Sequence, residues 1–425
     1  MKVRALVSVF LLLIFSCSQV VDDKTGKRES FLLPTEKEIA LGNKLLPEAI
    51  TQFEGVYPDK KVQEYVKNLG IKIAKTASRK LPYEFILVNS EELNAFALPG
   101  GKIIITRGLF LLLDKESELA GVLAHELGHV NARHHARYLE KTLGLSLLLQ
   151  IGTLLIGGED LTERIIIQLA SIGATLLTLK FSRDQEREAD KLGVRFSLNA
   201  GFDPHGLIDV FYKFKKLERN LPPEWLSTHP LPDTRIKEVS RLIKSIKLPD
   251  NLKKDSIEFH KVKKKLLTTK LSYKAYIEGK KFYRKGLKDA ALQKFEEAIR
   301  LYPDNQIAMA YVSSIYLEKG FVKKALNYAY KITELDPYLL WGWYLKGIAL
   351  FKLGNYRESI KALKEAKKRV ESYAGIYYYL GRNYEAIGNM KKAIENYKIA
   401  LKLSTGKEPW YEDLRGRLYE NKVIF

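Results

Sequence analysis

Hydrophobic spacing along the first 250 residues predicts a mixture of helices and short strands. Apolar side chains recur three and four positions apart, as on one face of an amphipathic helix, in residues 34–52, 59–78 and 117–140. Strand-like apolar runs occupy residues 83–89, 94–98 and 102–106. The last two runs flank Pro99-Gly100-Gly101, which predicts a β-hairpin. This half of the chain should fold as an α+β domain made mostly of helices.

The C-terminal part repeats with a period of 34 residues. Small or apolar residues recur in register in four series: Gly279, Ser313, Gly347 and Gly381; Ala291, Ala325, Ser359 and Ala393; Phe295, Ala329, Leu363 and Tyr397; Ala298, Ile332, Ala366 and Ala400. This period, with small residues where paired helices cross, resembles the tetratricopeptide repeat. Such units cannot bury their apolar faces singly, so they stack into a superhelix with a concave surface. We predict four repeats in 272–407 and a capping helix and tail in 408–425.

The first residues have the pattern of an export signal. Lys2 and Arg4 precede an apolar run that ends at Ser16, and Cys17 follows directly. The preceding residues resemble a bacterial lipobox, although Phe15 is bulkier than the small residue usual at its position. We therefore predict a signal peptide over 1–16, lipidation of Cys17, and a polar tether over 17–33. The alternative is a plain secretory signal, and both alternatives predict an exported protein.

Composition and charge separate the two halves. The chain has 425 residues and one cysteine, so a fold built on intrachain disulfides is excluded. Residues 260–425 contain 34 basic and 17 acidic side chains and carry most of the net charge of +21. An exported protein rarely meets nucleic acid and no nucleic-acid motif occurs, so we expect acidic peptides, an acidic partner or anionic lipid to face the repeats, or only a solvated surface.

The predicted helix over 117–140 contains His125-Glu126-Leu127-Gly128-His129. Residues four apart share a helix face, so His125 and His129 can direct both imidazoles at one ion. Glu126 can then reach a water on that ion and accept its proton. The pattern predicts one zinc ion per chain.

Two residues compete as the third metal ligand. His135 has the spacing of the metzincin pattern, but that pattern needs a glycine at position 132, where the chain has alanine. Glu186 lies on a second predicted helix and shares a face with Asp190, whose carboxylate can accept the free N–H of a ligating histidine. The residues favour Glu186.

These motifs together resemble one family, the zinc metallopeptidases related to HtpX, the CaaX prenyl proteases and BepA. The matching stretches are 125–129, 186–190, 94–101, 201–204 and 227–230, with Arg235. The resemblance covers about 34–247 and implies that Glu186 is the third ligand and Glu126 the general base.

The resemblance also implies how substrate binds. The stretch Asn94, Ala95, Phe96, Ala97 and Leu98 would be an edge strand that pairs with an extended polypeptide. The alternative is an ordinary hairpin strand.

His229 and Arg235 have two interpretations each. In BepA-like members the histidine of the His-Pro motif can occupy the fourth zinc position and hold the enzyme inactive, which would make His229 regulatory; otherwise it is structural. Arg235 either stabilises an oxyanion or pairs with Asp190. The remaining histidines, His134, His205 and His260, are expected to be surface or structural residues.

Two apolar runs, 142–158 and 165–179, are a little short for membrane spans. We expect helices that pack on the domain or dip into the membrane surface, with short spans as the alternative.

The sequence therefore predicts a peptidase domain over 34–248, a linker over 249–271, and the repeats. We expect a lipid-anchored zinc endopeptidase of the bacterial periplasm or outer membrane that cleaves misfolded or stalled envelope proteins, with repeats that dock substrates or the envelope assembly machinery. The rivals are an assembly scaffold whose peptidase is mostly held inactive, and a membrane-integrated protease.

Overall fold

The computed structural model describes residues 18–21, 28–31, 33–143, 163–217, 223–230 and 233–423. The predicted signal peptide, Cys17 and residues 144–158 of the first apolar run lie outside this part of the chain. The chain divides into two compact units. The first combines residues 1–46, 59–160 and 174–265; the second combines 47–58, 161–173 and 266–425.

Five short strands form two sheets in the described chain. They are β1 Ser18–Val21, β2 Arg28–Phe31, β3 Glu84–Val88, β4 Ala95–Leu98 and β5 Lys102–Thr106. β1 and β2 pair antiparallel, and both lie within the segment predicted as a polar tether. The second sheet has the order β3-β5-β4, with β3 parallel and β4 antiparallel to β5. The central strand carries three consecutive isoleucines that are fully buried on both faces, as a central strand requires.

Helices make up most of the rest and confirm the predicted fold class. Up to residue 268 they are α1 Thr35–Gln52, α2 Lys60–Ala74, α3 Arg107–Leu112, α4 Glu116–Asn131, α5 Glu163–Leu177, α6 Arg183–Asn199, α7 His205–Leu217, α8 Trp225–Thr228, α9 Asp233–Lys244 and α10 Ile257–Thr268. A further helical stretch covers 134–143.

The long helix predicted over 117–140 is interrupted. α4 ends at Asn131, and Arg133 adopts a left-handed φ of 57° before helix resumes. Buried contacts compensate this strained backbone: the Arg133 guanidinium lies 3.1 Å from the Glu38 carboxylate and donates to the carbonyl of Leu33 at 2.7 Å. The break therefore depends on partners almost a hundred residues away, which helical periodicity cannot reveal.

α4 and α6 approach closely where they cross. A Cβ atom on Gly128 would lie 2.8 Å from the carbonyl oxygen of Ala189, so only glycine permits this contact. α6 begins with a capping box in which Ser182 and Gln185 satisfy each other's backbone N–H groups. This start sets the register that turns Glu186 and Asp190 toward α4.

The second unit contains four helical hairpins and a terminal helix. The helices are α11 Lys270–Arg284, α12 Lys288–Leu301, α13 Gln306–Glu318, α14 Val322–Leu335, α15 Leu340–Lys352, α16 Tyr356–Arg369, α17 Ala374–Ala386, α18 Met390–Leu403 and α19 Tyr411–Glu420. The small residues of the 34-residue period lie where the helices of a hairpin cross. A Cβ on Gly381 would lie 2.3 Å from the Tyr397 ring, whereas Ser313 fits and donates to the Ala325 carbonyl at 2.9 Å.

The boundary between the two units differs from the predicted one in two respects. The linker predicted over 249–271 contains α10, and within the first unit its buried Phe259 stacks on Phe110 at 5.4 Å. Residues 47–58 belong to the repeat unit, although they lie within the stretch predicted as the peptidase domain.

The repeats hold residues 47–58 by their backbone. Val56 donates its N–H to Asp336 Oδ2 at 2.6 Å, and its carbonyl accepts from the amide of Gln306. Next to it, the ring of Tyr57 stacks on Tyr273 and on Tyr302, with ring centroids 6.3 and 6.2 Å away. The unit therefore includes a stretch of chain that no repeat pattern marks.

No helix of the described chain is both long and apolar enough to cross a membrane. α5, which covers most of the second apolar run, has 15 residues.

Replacing Asp336 by Asn should loosen residues 47–58. The introduced amide cannot accept from both sides as the Asp336 carboxylate does, and a buried N–H left without a partner costs about 1–3 kcal/mol. We expect faster hydrogen exchange at the Val56 amide. The control is Asp304→Asn, which changes an exposed aspartate.

Burial raises the pKa of Asp336 to about 6. The stability of the wild-type unit should therefore fall as pH rises from about 4 through 6, because the unfolded chain loses this proton first. Unchanged exchange at Val56, or an equal pH dependence in the variant, would contradict this assignment.

Candidate metal centre and catalytic site

Four buried donors from three segments meet at one point of the first unit. His125 and His129 come from α4, Glu186 comes from α6, and His229 directly follows α8. One ligand atom from each lies within 4.8 Å of every other. The structure therefore brings together the three ligands expected from the sequence and the histidine expected to be regulatory or structural.

Four of the six distances between these donors lie near the edges of a metal-binding tetrahedron. His125 Nε2 lies 3.1 Å from His129 Nε2 and 3.5 Å from His229 Nδ1. Glu186 Oε1 lies 3.5 Å from His129 Nε2 and 3.0 Å from His229 Nδ1. Zinc bound at ~2.0–2.1 Å to four ligands would separate them by about 3.3–3.4 Å. The donor set, two or three imidazoles with one carboxylate, is one that zinc prefers.

The second nitrogen of His125 faces a carboxylate. His125 Nδ1 lies 3.0 Å from Asp190 Oδ1, which places the ring proton on Nδ1 and leaves the lone pair of Nε2 for the metal. Arg235 donates to both oxygens of Asp190 at 2.7 and 2.8 Å. Burial raises the pKa of Asp190, but the Arg235 guanidinium outweighs it and holds the pKa below its usual value.

Arg235 also contacts Glu186. Its Nη1 lies 2.5 Å from Glu186 Oε2 and donates to the carbonyl of Pro230 at 2.7 Å. Two roles were considered for Arg235, and in the structure it pairs with Asp190. It also contacts the proposed ligand Glu186 and the segment that carries His229.

His129 is supported by a residue that sequence reasoning assigned no role at the site. Its Nδ1 lies 2.9 Å from Nδ1 of fully buried His134, whose Nε2 lies 3.2 Å from Glu188. One proton arrangement satisfies this chain: His129 donates to His134, and His134 donates to Glu188. It leaves His129 Nε2 unprotonated toward the metal position. Helical spacing could not find His134, because the turn at Arg133 swings it toward His129.

The remaining histidines lie outside the cluster. His135 is buried and packs edge-on against Phe181 with the ring centroids 5.2 Å apart. Burial lowers its pKa to about 3. His205 and His260 are half exposed and each contacts a nearby aspartate, Asp203 and Asp255 respectively.

Glu126 is buried next to the four donors but is not one of them. Its Oε1 accepts from the indole N–H of Trp225 at 3.0 Å. Its Oε2 has no hydrogen-bond partner among the described residues, so a buried acceptor remains free for a water or a substrate group. Burial raises the pKa of Glu126 to about 7, a value that suits a group that must both accept and return a proton.

His229 is held in place by stacking. Its ring lies on the Trp225 indole with centroids 4.5 Å apart and planes 15° from parallel, and its Nε2 lies 3.7 Å from Glu126. Burial lowers the pKa of His229 to about 3, so it is a neutral donor at physiological pH. The short helix α8 thus positions His229 and Glu126 together.

The expected substrate strand is at a sheet edge but is covered. Among described strands β4 pairs with β5 alone. Asn94 and the β4 residues are nonetheless all buried, and Phe96 is the most exposed at 7%. The Trp225 backbone N–H also donates to the Leu93 carbonyl, just before this strand, at 3.1 Å.

Comparison with known proteins finds matches for both parts of the chain. Residues 58–243 match Peptidase family M48, and residues 278–339 and 344–408 match the tetratricopeptide repeat. The chain is 34% identical over 223 residues to a beta-barrel assembly-enhancing protease of Yersinia pestis, an alignment that covers 50% of this chain and 45% of that protein. The protein of that name from Escherichia coli K12 is 35% identical over 202 residues, covering 44% and 41%.

A mitochondrial metalloendopeptidase OMA1 of Arabidopsis thaliana is 36% identical over 157 residues, covering 37% of this chain and 31% of that protein. A thermophilic tetratricopeptide-repeat protein of Thermus thermophilus aligns in structure with a TM-score of 0.32 and 25% identity, covering 36% of this chain and 82% of that one. The chain spans less than half the length of these three curated relatives. It carries a Peptidase family M48 domain, whose members are metallopeptidases, followed by C-terminal tetratricopeptide repeats.

Proposed function

We propose that the chain is a zinc-dependent endopeptidase of the bacterial cell envelope that cleaves unfolded or stalled polypeptides. The observation that carries the proposal is the buried cluster of four donors with Glu126 beside it. The match to Peptidase family M48 supports a metallopeptidase reaction at this cluster.

In this proposal His125, His129 and Glu186 hold one zinc ion. A bound zinc would supply Lewis acidity. Glu126 can accept a proton from the attacking water through its free Oε2 and return it to the leaving amine. Asp190 and the pair His134–Glu188 keep the two ligand imidazoles in the tautomer that binds metal.

The position of His229 makes this conformation a resting, inactive state of the enzyme. Its Nδ1 lies among the other three donors, where a water or a substrate carbonyl would have to enter. The strand proposed to pair with substrate is buried in the same conformation. Binding therefore requires His229 to leave and β4 to be uncovered.

α8 couples those two events. Trp225 bonds through its backbone N–H to Leu93, before the strand, and through its side chain to Glu126, while its ring carries His229. A displacement of α8 would release the fourth donor, the base and the strand end together. We therefore infer that α8 is the gate of the active site.

Location, substrate and partners rest on the sequence and on the relatives. The leader pattern supports export, and lipidation of Cys17 would anchor the chain in a membrane that faces the periplasm, such as the outer membrane. Two relatives are called beta-barrel assembly-enhancing proteases, which supports misfolded envelope proteins as substrates and repeats that dock them or their assembly machinery.

A second candidate function is an assembly scaffold that seldom cleaves. The buried β4 and the position of His229 favour it, because both would keep a substrate out of the site in this conformation. A Glu126→Gln chain separates the two functions: a phenotype that needs peptidase activity is lost, whereas a scaffold phenotype is retained.

Glu126→Gln should abolish cleavage of an unfolded protein such as casein while zinc stays bound, because the base is lost but no ligand is. We expect a fall in turnover of at least about 100-fold. Glu186→Gln should instead lose zinc, measured by metal analysis after dialysis. Full zinc in Glu186→Gln, or cleavage by Glu126→Gln at the wild-type rate, would contradict the assigned roles.

His229→Ala should cleave casein, or itself, faster than wild type, because removal of the imidazole opens the fourth position. Glu126→Gln/His229→Ala is the control and should be inert, which shows that any gain comes from this site. Zinc affinity should fall only modestly because three ligands remain. Slower cleavage with zinc fully bound would mean that His229 serves catalysis or loop structure.

His134→Ala should weaken zinc binding by about 10–100-fold, because His129 loses the acceptor that fixes its tautomer. The matched control is His135→Ala, a neighbouring buried histidine that lies outside the cluster and should leave zinc affinity nearly unchanged. Competition with a chromophoric chelator measures both, independently of activity. Equal losses in the two variants would show that His134 acts only through packing.

A further inference from the structure

The four helical hairpins of the repeat unit turn at one edge of the array. These turns, 284–290, 318–324, 352–358 and 386–392, are 34 residues apart, and we name them together the hairpin-turn edge. Each contains one glycine with a left-handed φ of 76–80°: Gly286, Gly320, Gly354 and Gly388. No atom lies within 4 Å of a Cβ built on any of them, so each glycine faces open space.

Each turn exposes one large apolar side chain. Leu287 and Phe321 follow their glycines and are 52% and 51% exposed. Leu353 and Ile387 precede theirs and are 37% and 44% exposed. Single exposed apolar residues are ordinary on a protein surface, but one on every turn of the same edge makes a row.

The same edge carries an excess of positive charge. Its four turns contain ten Lys or Arg and three Asp or Glu, a net of +7. All ten basic residues are exposed. The turns that connect one hairpin to the next, at 300–306, 334–340, 368–374 and 402–408, contain five basic and five acidic residues and are neutral. Among the turns of the repeats, the excess of positive charge therefore lies on one edge.

The three acidic residues of the hairpin-turn edge are already engaged by lysines. Asp289 pairs with Lys319, Glu318 with Lys288, and Glu358 with Lys361. The other basic side chains of the edge are exposed, and two of them also lie over aromatic rings: Lys324 over Phe321 at 5.3 Å and Lys392 over Tyr384 at 5.4 Å. Eight of the ten basic residues are lysines, compact charges that suit a diffuse anionic surface better than a fixed bidentate partner.

We propose that the hairpin-turn edge docks on the surface of an anionic phospholipid bilayer. The lysines would lie at the level of the anionic headgroups, and the apolar tips would enter the boundary between headgroups and acyl chains. A row of protruding tips fits a broad surface, whereas an acidic peptide would need a groove. The proposal does not depend on the peptidase site and should hold for inactive Glu126→Gln.

Cosedimentation of the full chain with lipid vesicles tests this proposal. A Cys17→Ser background removes any acyl anchor, and the vesicles contain either neutral lipid alone or equal parts of neutral and phosphatidylglycerol lipid. The turn variant carries four reversals at exposed lysines: Lys323→Glu, Lys324→Glu, Lys391→Glu and Lys392→Glu. The matched control makes the same charge change at the opposite edge: Arg300→Glu, Lys368→Glu, Lys402→Glu and Lys407→Glu.

Binding to anionic vesicles should fall by more than about tenfold in the turn variant and much less in the control, because only the first set lies at the lipid surface. A separate variant with Leu287, Phe321, Leu353 and Ile387 changed to Ser should also bind more weakly at unchanged charge. Equal losses in both charge variants, or wild-type binding no stronger to anionic than to neutral vesicles, would overturn the proposal. The proposal would also be overturned if the turn variant bound vesicles normally but was no longer retained on polyglutamate. That result would identify the edge as a site for acidic proteins.

Discussion

One buried guanidinium joins the parts of the active site that are distant in sequence. Arg235 on α9 binds Asp190 and Glu186 on α6 and the carbonyl of Pro230, next to His229. Two carboxylates buried this close together would repel each other, and one of them would take up a proton, if no cation lay between them. Arg235 holds the pKa of Asp190 low, so Asp190 can orient His125. It also opposes the rise in the pKa of Glu186, which burial still brings to about 7. The ion pair therefore supports His125, Glu186 and the segment that carries His229.

The two ligand histidines are oriented by different chemistry. His125 contacts a charged carboxylate that is itself held by Arg235, whereas His129 contacts a neutral imidazole backed by Glu188. A direct carboxylate makes an imidazole more basic than a neutral acceptor does. The asymmetry implies that His125 is the stronger electron donor of the two, although both belong to one helix and one motif.

Local periodicity predicted what depends on helix geometry. The positions of His125, His129, Glu186 and Asp190 follow from i, i+4 spacing, and the repeats follow from a 34-residue period. The role of His134 did not follow, because it depends on the left-handed turn at Arg133, which is stabilised by Glu38 far away in sequence. Residues 47–58 were placed in the peptidase domain for a related reason: Asp336 and Gln306 recognise the backbone of Val56, and backbone recognition leaves no side-chain pattern to read.

That last contact also bears on how the chain folds. The bond between Val56 and Asp336 closes a loop of 280 residues, so the repeat unit combines very local helical hairpins with one contact of extreme sequence separation. Hairpins of adjacent helices form early, whereas a contact that closes so long a loop must wait until its entropic cost is offset by other structure. During synthesis residues 47–58 emerge long before Asp336 exists, and Tyr57 stays without its stacking partners until the repeats follow. The repeat unit can therefore be completed only after both residues 47–58 and the repeats have been synthesised. A fragment that begins at the repeats would lack Tyr57 and would expose the surface that its ring covers.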